Sequence, residues 1–286
     1  MLLALNTFAC VSVILPLAVV KLIVPVNAVR KIVDRLLNGV AELWIRNNSA
    51  WMADVQWDIS GGEDLSRQRW YLLEANHQSW ADIFVMQKVL SGRIPMVKFF
   101  LKQQLIWVPM IGLAWWALDF PFMKRHSSAF LKKHPERRGD DLVAIRRACE
   151  KFSLIPTAVM NFLEGTRFTA EKHDQDKSPY RHLLAPKAGG IALALNAMGE
   201  RFHSLLDVTI FYPDEVPTFF GLLAGRMKKV VVRLRELPIP AELVSGNYAV
   251  DPLFRTRAQE WVTGLWREKD EMLEQLRGEY ALGPRP

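Results

Sequence analysis

The sequence predicts an α/β fold: a mixed, largely parallel sheet flanked by helices, preceded by an N-terminal hydrophobic helix and an amphipathic helix. Three observations predict it. Residues 1 to 20 carry no charge, and Lys21 is the only charged residue before Arg30. Apolar residues then recur at helical spacing as far as Trp44. Beyond residue 50, strand-like and helix-like periods alternate, the pattern of helices laid on a mostly parallel sheet. The 286 residues suffice for one large domain and a small appendage, which divides the chain into membrane-anchoring helices over 1–50 and an α/β domain with a closing helix over 51–286.

The elements follow in order. Met1 to about Val26 is long enough to cross or deeply enter a bilayer, since a span takes roughly 20 apolar residues. No positive region precedes the apolar stretch, and the stretch exceeds the core of a signal peptide. Pro16 and Pro25 kink or end such a helix without forbidding it. Arg30, Lys31, Arg35 and Arg46 follow, and the positive-inside rule then places the body in the cytoplasm. From Val29 to Trp44 an apolar stripe (Val29, Ile32, Val33, Leu36, Leu37, Val40, Leu43, Trp44) runs beside Arg30, Lys31, Asp34, Arg35 and Glu42. Two readings stand: a helix packed on the domain, or one lying on the bilayer with its apolar side down.

In the body, Val55, Trp57 and Ile59 alternate with polar residues until Gly61-Gly62 breaks the run. Trp70 to Ala75 reads as a buried strand ending at Asn76, Ser79 to Leu90 as a helix, and Asp140 to Phe152 as another. Thr157 to Phe162, Val208 to Tyr212 and Val230 to Leu234 read as strands, and Ala188 to Met198 as a helix. Within residues 103 to 123, Asp119 and Pro109 argue for a packed or re-entrant segment over a span. The charged stretch Glu171 to Arg181, carrying Pro179, is the candidate flap. A helix over 255–278 closes the chain, its stripe of Trp261, Val262, Leu265, Trp266, Met272, Leu273 and Leu276 read as core packing.

Composition narrows the partners. The formal net charge is +7 and mean hydropathy is +0.03, so anionic partners and a membrane surface are favoured. Nucleic acid is excluded as a partner, because the basic residues are dispersed and no recognition module is present. Cys10 and Cys149 sit in unlike contexts, which argues against a disulfide. The six histidines include no H-E-x-x-H and no ligand-spaced pair with cysteine, so no metal is expected.

Three constellations carry chemistry. The first is Asn76-His77-Gln-Ser79-Trp-Ala-Asp82, at a strand end where α/β folds build active sites. A neutral imidazole takes a proton from an alcohol, and a nearby carboxylate holds it in the useful tautomer. The same spacing is a capping box, with Ser79 as N-cap and Asp82 at N3, and the two readings are compatible. The second, Phe162-Leu-Glu164-Gly165-Thr166-Arg167, also follows a strand. Glycine there allows close approach or an unusual φ, and Arg167 presents a planar fork to a phosphate. A strand-end turn with a local Glu-Arg pair is the plain alternative. The third is Phe120-Pro-Phe-Met-Lys124-Arg125, whose adjacent cations either contact a phosphate or lie solvated.

Taken together, in this order and separation, these motifs resemble those of the glycerolipid (lysophospholipid) acyltransferases, a family that includes the lysophosphatidic acid acyltransferases. Asn76-His77-x-Ser79-x-x-Asp82 is similar to the first motif, Phe120 to Arg125 to the second, and Phe162 to Arg167 to the third. Val208-Thr-Ile-Phe-Tyr-Pro213 looks like a loose fourth, and the resemblance covers roughly residues 50 to 215. Glu-Gly-Thr-Arg-Phe-Thr running into Lys172-His173, with Pro186-Lys187 beyond, looks most like the branch with bacterial inner-membrane relatives.

The resemblance implies His77 as general base with Asp82 as its orienter, supported by Asn76 and Ser79. It further implies that Arg167, Lys124 and Arg125 bind the acceptor's phosphate, with Gly165 and Thr166 lining that turn and Glu164 positioning the glycerol. The acceptor would be a lysophospholipid, and the co-substrate acyl-CoA or acylated acyl carrier protein, with no bound cofactor. The location implied is the cytoplasmic face of a bacterial inner membrane, with the bilayer itself a partner. Two rivals remain: a serine-type lipid acyl hydrolase, although no G-x-S-x-G elbow occurs, and a non-catalytic membrane scaffold.

Overall fold

A computed structural model describes residues 2–123, 154–244 and 251–280. Lys124, Arg125, Cys149 and the predicted helix Asp140 to Phe152 lie outside the described residues.

Along the chain, α1 (Leu2–Ile23) and α2 (Asn27–Asn48) precede β1 (Gln56–Ser60), β2 (Tyr71–Ala75), α3 (Ala81–Leu90), β3 (Val97–Phe99) and β4 (Leu101–Lys102). Then come α4 (Ile111–Ala117), β5 (Phe122–Met123), β6 (Ala158–Phe162), α5 (Ala170–Gln175) and α6 (Gly189–Met198). The last elements are β7 (Ser204–Phe211), α7 (Phe219–Leu223), β8 (Lys229–Leu237) and α8 (Pro252–Glu279). The chain forms two compact units: Met1–Ala50, Ser66–Trp70 and Gln87–Met160 make one, and Trp51–Leu65, Tyr71–Met86 and Asn161–Pro286 the other.

In the first unit α1 ends ahead of Pro25, which disfavours helical geometry at Val24. α1 is long and apolar enough to cross a membrane by length and composition. α2 buries Val33, Leu37, Ala41 and Ile45 at helical spacing, and these pack with Ile14 and Ala18 of α1 and with Ala117, Leu118 and Phe120. Ile32, Leu36 and Leu43 of α2, and Phe8, Val19, Leu22 and Ile23 of α1, stay exposed. One side of the amphipathic stripe therefore packs and another is left open. Polar staples reinforce the packing. Lys21 pairs with Asp119 and, at 2.7 Å, with Asp34, while Arg30 reaches Asp119 at 3.4 Å. Residues 103–123 hold a short 3-10 turn and the seven-residue α4, which buries Gly112 and Ala117. β3 pairs parallel with the start of β6.

The second unit carries strands in the order β1-β8-β7-β2, with β1 and β8 parallel, β2 and β7 parallel, and β7 and β8 antiparallel. All five residues of β2 and all eight of β7 are buried, as a strand covered on both faces requires. β7 begins four residues before the predicted Val208, at Ser204, because Asp207 lies within it as a buried charge that a pattern read stops at. Asp207 is met by Lys269 of α8, which also donates to Val208 O at 2.8 Å and stands 3.4 Å from Glu74 of β2. Burial drives the Glu74 carboxyl well above its ordinary range, and the neighbouring Asp207 charge pushes the same way. α8 starts at Asp251, whose carboxylate accepts from Leu253 N and Phe254 N, with Pro252 in the first turn. It buries Val262, Leu265, Trp266, Leu273 and Leu276, the packed stripe predicted for it.

The candidate flap is not a plain loop. Ala170–Gln175 is helical, capped by the Thr169 side chain, and the return is tied down by His173 Nε2 to Tyr180 O at 2.6 Å and by Asp270 accepting from Arg181 N and His182 N. Charge and proline signalled exposure, but they could not reveal these long-range acceptors.

Candidate active site

The site is assembled in the second unit from three chain ends: the turn after β2, the turn after β6, and the end of β7. β2 delivers Asn76 and His77. Asn76 is fully buried and reads Ile210 of β7 in both directions, its Oδ1 accepting from Ile210 N and its Nδ2 donating to Ile210 O, each at 2.8 Å. The polar turn is thereby fixed to the sheet without leaving a buried amide unpaired.

Asp82, in the first turn of α3, is fully buried and accepts four hydrogen bonds. Its Oδ2 takes His77 Nδ1 at 2.9 Å, Gln78 N at 2.6 Å and Ser79 N at 2.8 Å; its Oδ1 takes the Tyr212 hydroxyl at 2.7 Å. The bond from Ser79 N is half of the capping box, so the cap and the dyad are one arrangement. Ser79 departs from the box on the other half: its hydroxyl accepts from Ala81 N at 3.1 Å and donates to Pro217 O. With Nδ1 facing a carboxylate, the consistent tautomer carries its proton there and leaves Nε2 as an acceptor. Nε2 has no hydrogen bond among the described residues, and the His77 side chain keeps 14% of its surface open. Its ring lies flat on Phe162, centroids 3.9 Å apart and planes 16° from parallel, which fixes the plane of the base.

The turn after β6 docks on the same loop, Phe168 N donating to His77 O at 2.7 Å. Gly165 takes φ +69°, a conformation that side chains resist, and leaves the turn bare. Glu164 is buried and braces the His77 loop, its Oε1 accepting from His77 N at 2.7 Å and its Oε2 from Leu184 N at 3.0 Å. Burial raises its carboxyl to about 8, against the lowering effect of those two N–H donors. Nor is there a local Glu-Arg pair: the exposed Arg167 guanidinium lies 5.1 Å from the centroid of the Trp80 ring.

Two further cations stand at the turn. Lys172 donates to Thr166 Oγ1 and to Arg167 O, each at 2.9 Å. Lys187 passes so close to Gly165 that a side-chain carbon added there would lie 3.8 Å from its amine. Lys172 and Lys187 fall outside the third motif, so the sequence gives them no role, and it does not place Phe162 under the His77 ring or Tyr212 against Asp82. Lys172 lies five residues past Arg167, one helical turn into α5 after a Thr169 cap, and that spacing was a readable signal. Tyr212 lies 130 residues from Asp82 and had none.

Comparison with known proteins bears on the whole arrangement. The family described as Acyltransferase matches residues 56–213, which take in His77, Asp82, Glu164 to Arg167 and Tyr212. The 1-acyl-sn-glycerol-3-phosphate acyltransferase gamma of Mus musculus is 27% identical over 189 residues, 62% of this chain and 45% of that protein. The delta enzyme of Homo sapiens is 26% identical over 214 residues, 70% of this chain and 51% of that one. The chain spans about half the length of these curated relatives. A crystal structure of the 1-acyl-sn-glycerophosphate acyltransferase of Thermotoga maritima is similar at TM-score 0.45 and 20% identity, over 94% of this chain and 95% of that one.

Proposed function

The chain belongs to the acyltransferase family, and from that premise we propose that it moves a fatty acyl group from an acyl thioester to the free hydroxyl of a lysophospholipid, converting lysophosphatidic acid to phosphatidic acid. One observation carries the reading: an imidazole held on a buried carboxylate, its second nitrogen free, beside a bare glycine turn surrounded by Arg167, Lys172 and Lys187. A base and a phosphate-sized concentration of cations within one loop system suit an acceptor that carries a hydroxyl and a phosphate on one small backbone.

In the step we envisage, His77 Nε2 takes the acceptor's hydroxyl proton as that oxygen bonds to the thioester carbonyl carbon. The tetrahedral oxyanion then collapses, the carbon–sulfur bond breaks, and the leaving thiolate takes the proton back from the imidazolium. Asp82 stabilises the imidazolium in between. The donor would be acyl-CoA or acylated acyl carrier protein. Lys124 and Arg125, from the second motif, are proposed as further phosphate ligands. The acceptor resides in a bilayer and the thioester in water, so catalysis belongs at a membrane surface. The apolar α1 and the open side of α2 support such an attachment, at the cytoplasmic face of an inner membrane.

Serine hydrolysis fits less well. The Ser79 hydroxyl is buried and committed to Pro217 O and Ala81 N, and His77 is bonded elsewhere. A transfer assay decides the matter. Wild type and His77→Ala are given a panel of lysophospholipids with both thioester donors. The expected result is acylation of lysophosphatidic acid by wild type, reduced by about 10² to 10⁴ in the variant. If neither donor acylates any lysolipid, the proposal is wrong; if the variant matches wild type, His77 is not the base.

A further inference from the structure

We propose that Tyr212 is a positioning residue of the His77–Asp82 dyad, and that the Val208 to Pro213 segment serves in this chain as a rear clamp on the base. The inference rests on the acyl-transfer reading for its kinetic consequence, though not for its structural one.

The argument begins with the geometry of Asp82. Three N–H donors converge on Oδ2, and among the described residues Oδ1 has one partner, the Tyr212 hydroxyl. A carboxylate with every strong donor on one oxygen is free to rock about its own axis. The phenol on the other oxygen removes that freedom and keeps Oδ2 aligned with Nδ1. Tyr212 is itself buried at 2% exposure, so its hydroxyl is not shared with bulk water. Burial raises the phenol well above its ordinary value, and the Asp82 charge adds to this, so it remains a donor at every pH the site experiences. Two residues earlier, Ile210 clamps the Asn76 amide from both sides and accepts from Gln78 Nε2 at 3.2 Å. The end of β7 thus grips the catalytic turn at its entry, through Asn76, and at its exit, through Asp82. An extended strand sends alternate side chains to one face. The segment that resembles a loose fourth motif thus faces the dyad at Tyr212, whose hydroxyl reaches Asp82 Oδ1 at 2.7 Å.

The phenol also tunes the base. By donating to Asp82 it spreads the carboxylate charge and weakens the pull of that charge on an imidazolium. Among the described residues, Glu164 on the β6 turn is a titratable group beside the dyad: it accepts from His77 N and feels the Asp82 charge, and its two oxygens bond His77 N and Leu184 N.

The test uses the full chain and two substitutions at one position. Tyr212→Phe keeps the ring and deletes the donor; 3-fluorotyrosine placed at 212 keeps the donor and strengthens it. The His77 ring nitrogens are titrated by nuclear magnetic resonance without substrate, and kcat and acceptor KM are measured across pH. Tyr212→Phe should raise the His77 titration midpoint by about half a pH unit and lower kcat about ten-fold with acceptor KM unchanged, the loss in kcat being about the size of one hydrogen bond to a charged group. Fluorotyrosine should move the midpoint the opposite way. An unchanged midpoint in both proteins overturns the proposal whatever the activity does, and so does a shift of the same sign in both. Should Tyr212→Phe fail to fold, the fluorotyrosine protein alone decides by the same criterion. Should the wild type acylate no lysolipid, the acyl-transfer reading fails while the titration still judges Tyr212.

Discussion

Replacing Asp82 with asparagine isolates the charge of the dyad from its shape. Asn is isosteric, and with its oxygen toward His77 Nδ1, Gln78 N and Ser79 N it keeps all three N–H bonds, while its amine donates to the Tyr212 oxygen. The tautomer of the neutral imidazole survives, and what is lost is the stabilisation of the imidazolium formed when the base takes its proton. At the 2.9 Å separation, a unit charge pair at an effective dielectric of about 20 is worth roughly 6 kcal/mol. The four donors already bonded to Asp82 spread that charge, and halving the figure leaves about 3 kcal/mol, or a loss in kcat of roughly 10². Acceptor KM should hardly move, because Asp82 is fully buried and touches no substrate. The assay is thiol release from the acyl thioester at saturating lysophosphatidic acid, with a thermal midpoint as proof of folding. Loss of the carboxylate should also slide the acid limb of kcat to lower pH. A folded Asp82→Asn protein within three-fold of wild-type kcat, alongside an inactive His77→Ala, would refute the orienting role.

Other perturbations probe the rest of the molecule. Arg167→Ala and Lys172→Ala should each raise KM for lysophosphatidic acid about ten-fold or more with a smaller effect on kcat, measured by initial rates, and Arg167→Lys should restore little because the fork is lost. Lys269→Met removes one of the two cations on Asp207, which keeps its bond from Arg235 Nε at 2.7 Å, and should lower stability by about 1–3 kcal/mol, a fall in Tm of a few degrees by calorimetry, whereas Glu74→Gln replaces a carboxyl whose ionised form burial disfavours and should cost little. Glu164 has a folded value of about 8 against an ordinary 4.5, so the fold holds a proton that the unfolded chain releases between those values. Stability should therefore fall as pH rises from about 4.5 through 8, and the slope of Tm against pH should flatten in Glu164→Gln.

The parts of the fold that were legible in the sequence are those governed by local period. β2 and α6 were found almost to the residue, because an apolar run ending in Asn76, or a run of small and apolar residues after Ala188, admits few alternatives. β7 was clipped where Asp207 interrupts the pattern, since nothing local announces that Lys269, 62 residues on, will neutralise it. The Glu171 to Arg181 stretch shows its charges in the sequence but not its tethers, since Asp270, which accepts from Arg181 N and His182 N, lies 89 and 88 residues away. In the site, His77, Asp82 and Arg167 were legible because each lies just past a strand end. The sequence carries no sign of the bonds that Glu164 accepts from His77 N and Leu184 N, which lie 87 and 20 residues away.

That pattern of success and failure has a physical origin in how the base is held. A general base needs one nitrogen fixed and the other free, and the fixed side must survive in a buried place where an unpaired carboxylate is costly. Asp82 meets that requirement by accepting two backbone N–H groups from the start of its own helix, bonds that any Asp at that position of a helix start can make. Capping thus stabilises the carboxylate as an anion before His77 is considered, and the imidazole joins an acceptor already formed. The cap is local and appears in sequence as a spacing; the phenol that completes the carboxylate comes from a distant strand and does not. On the proposed mechanism catalytic competence would rest on both, and a spacing motif carries the His77–Asp82 pair without carrying Tyr212.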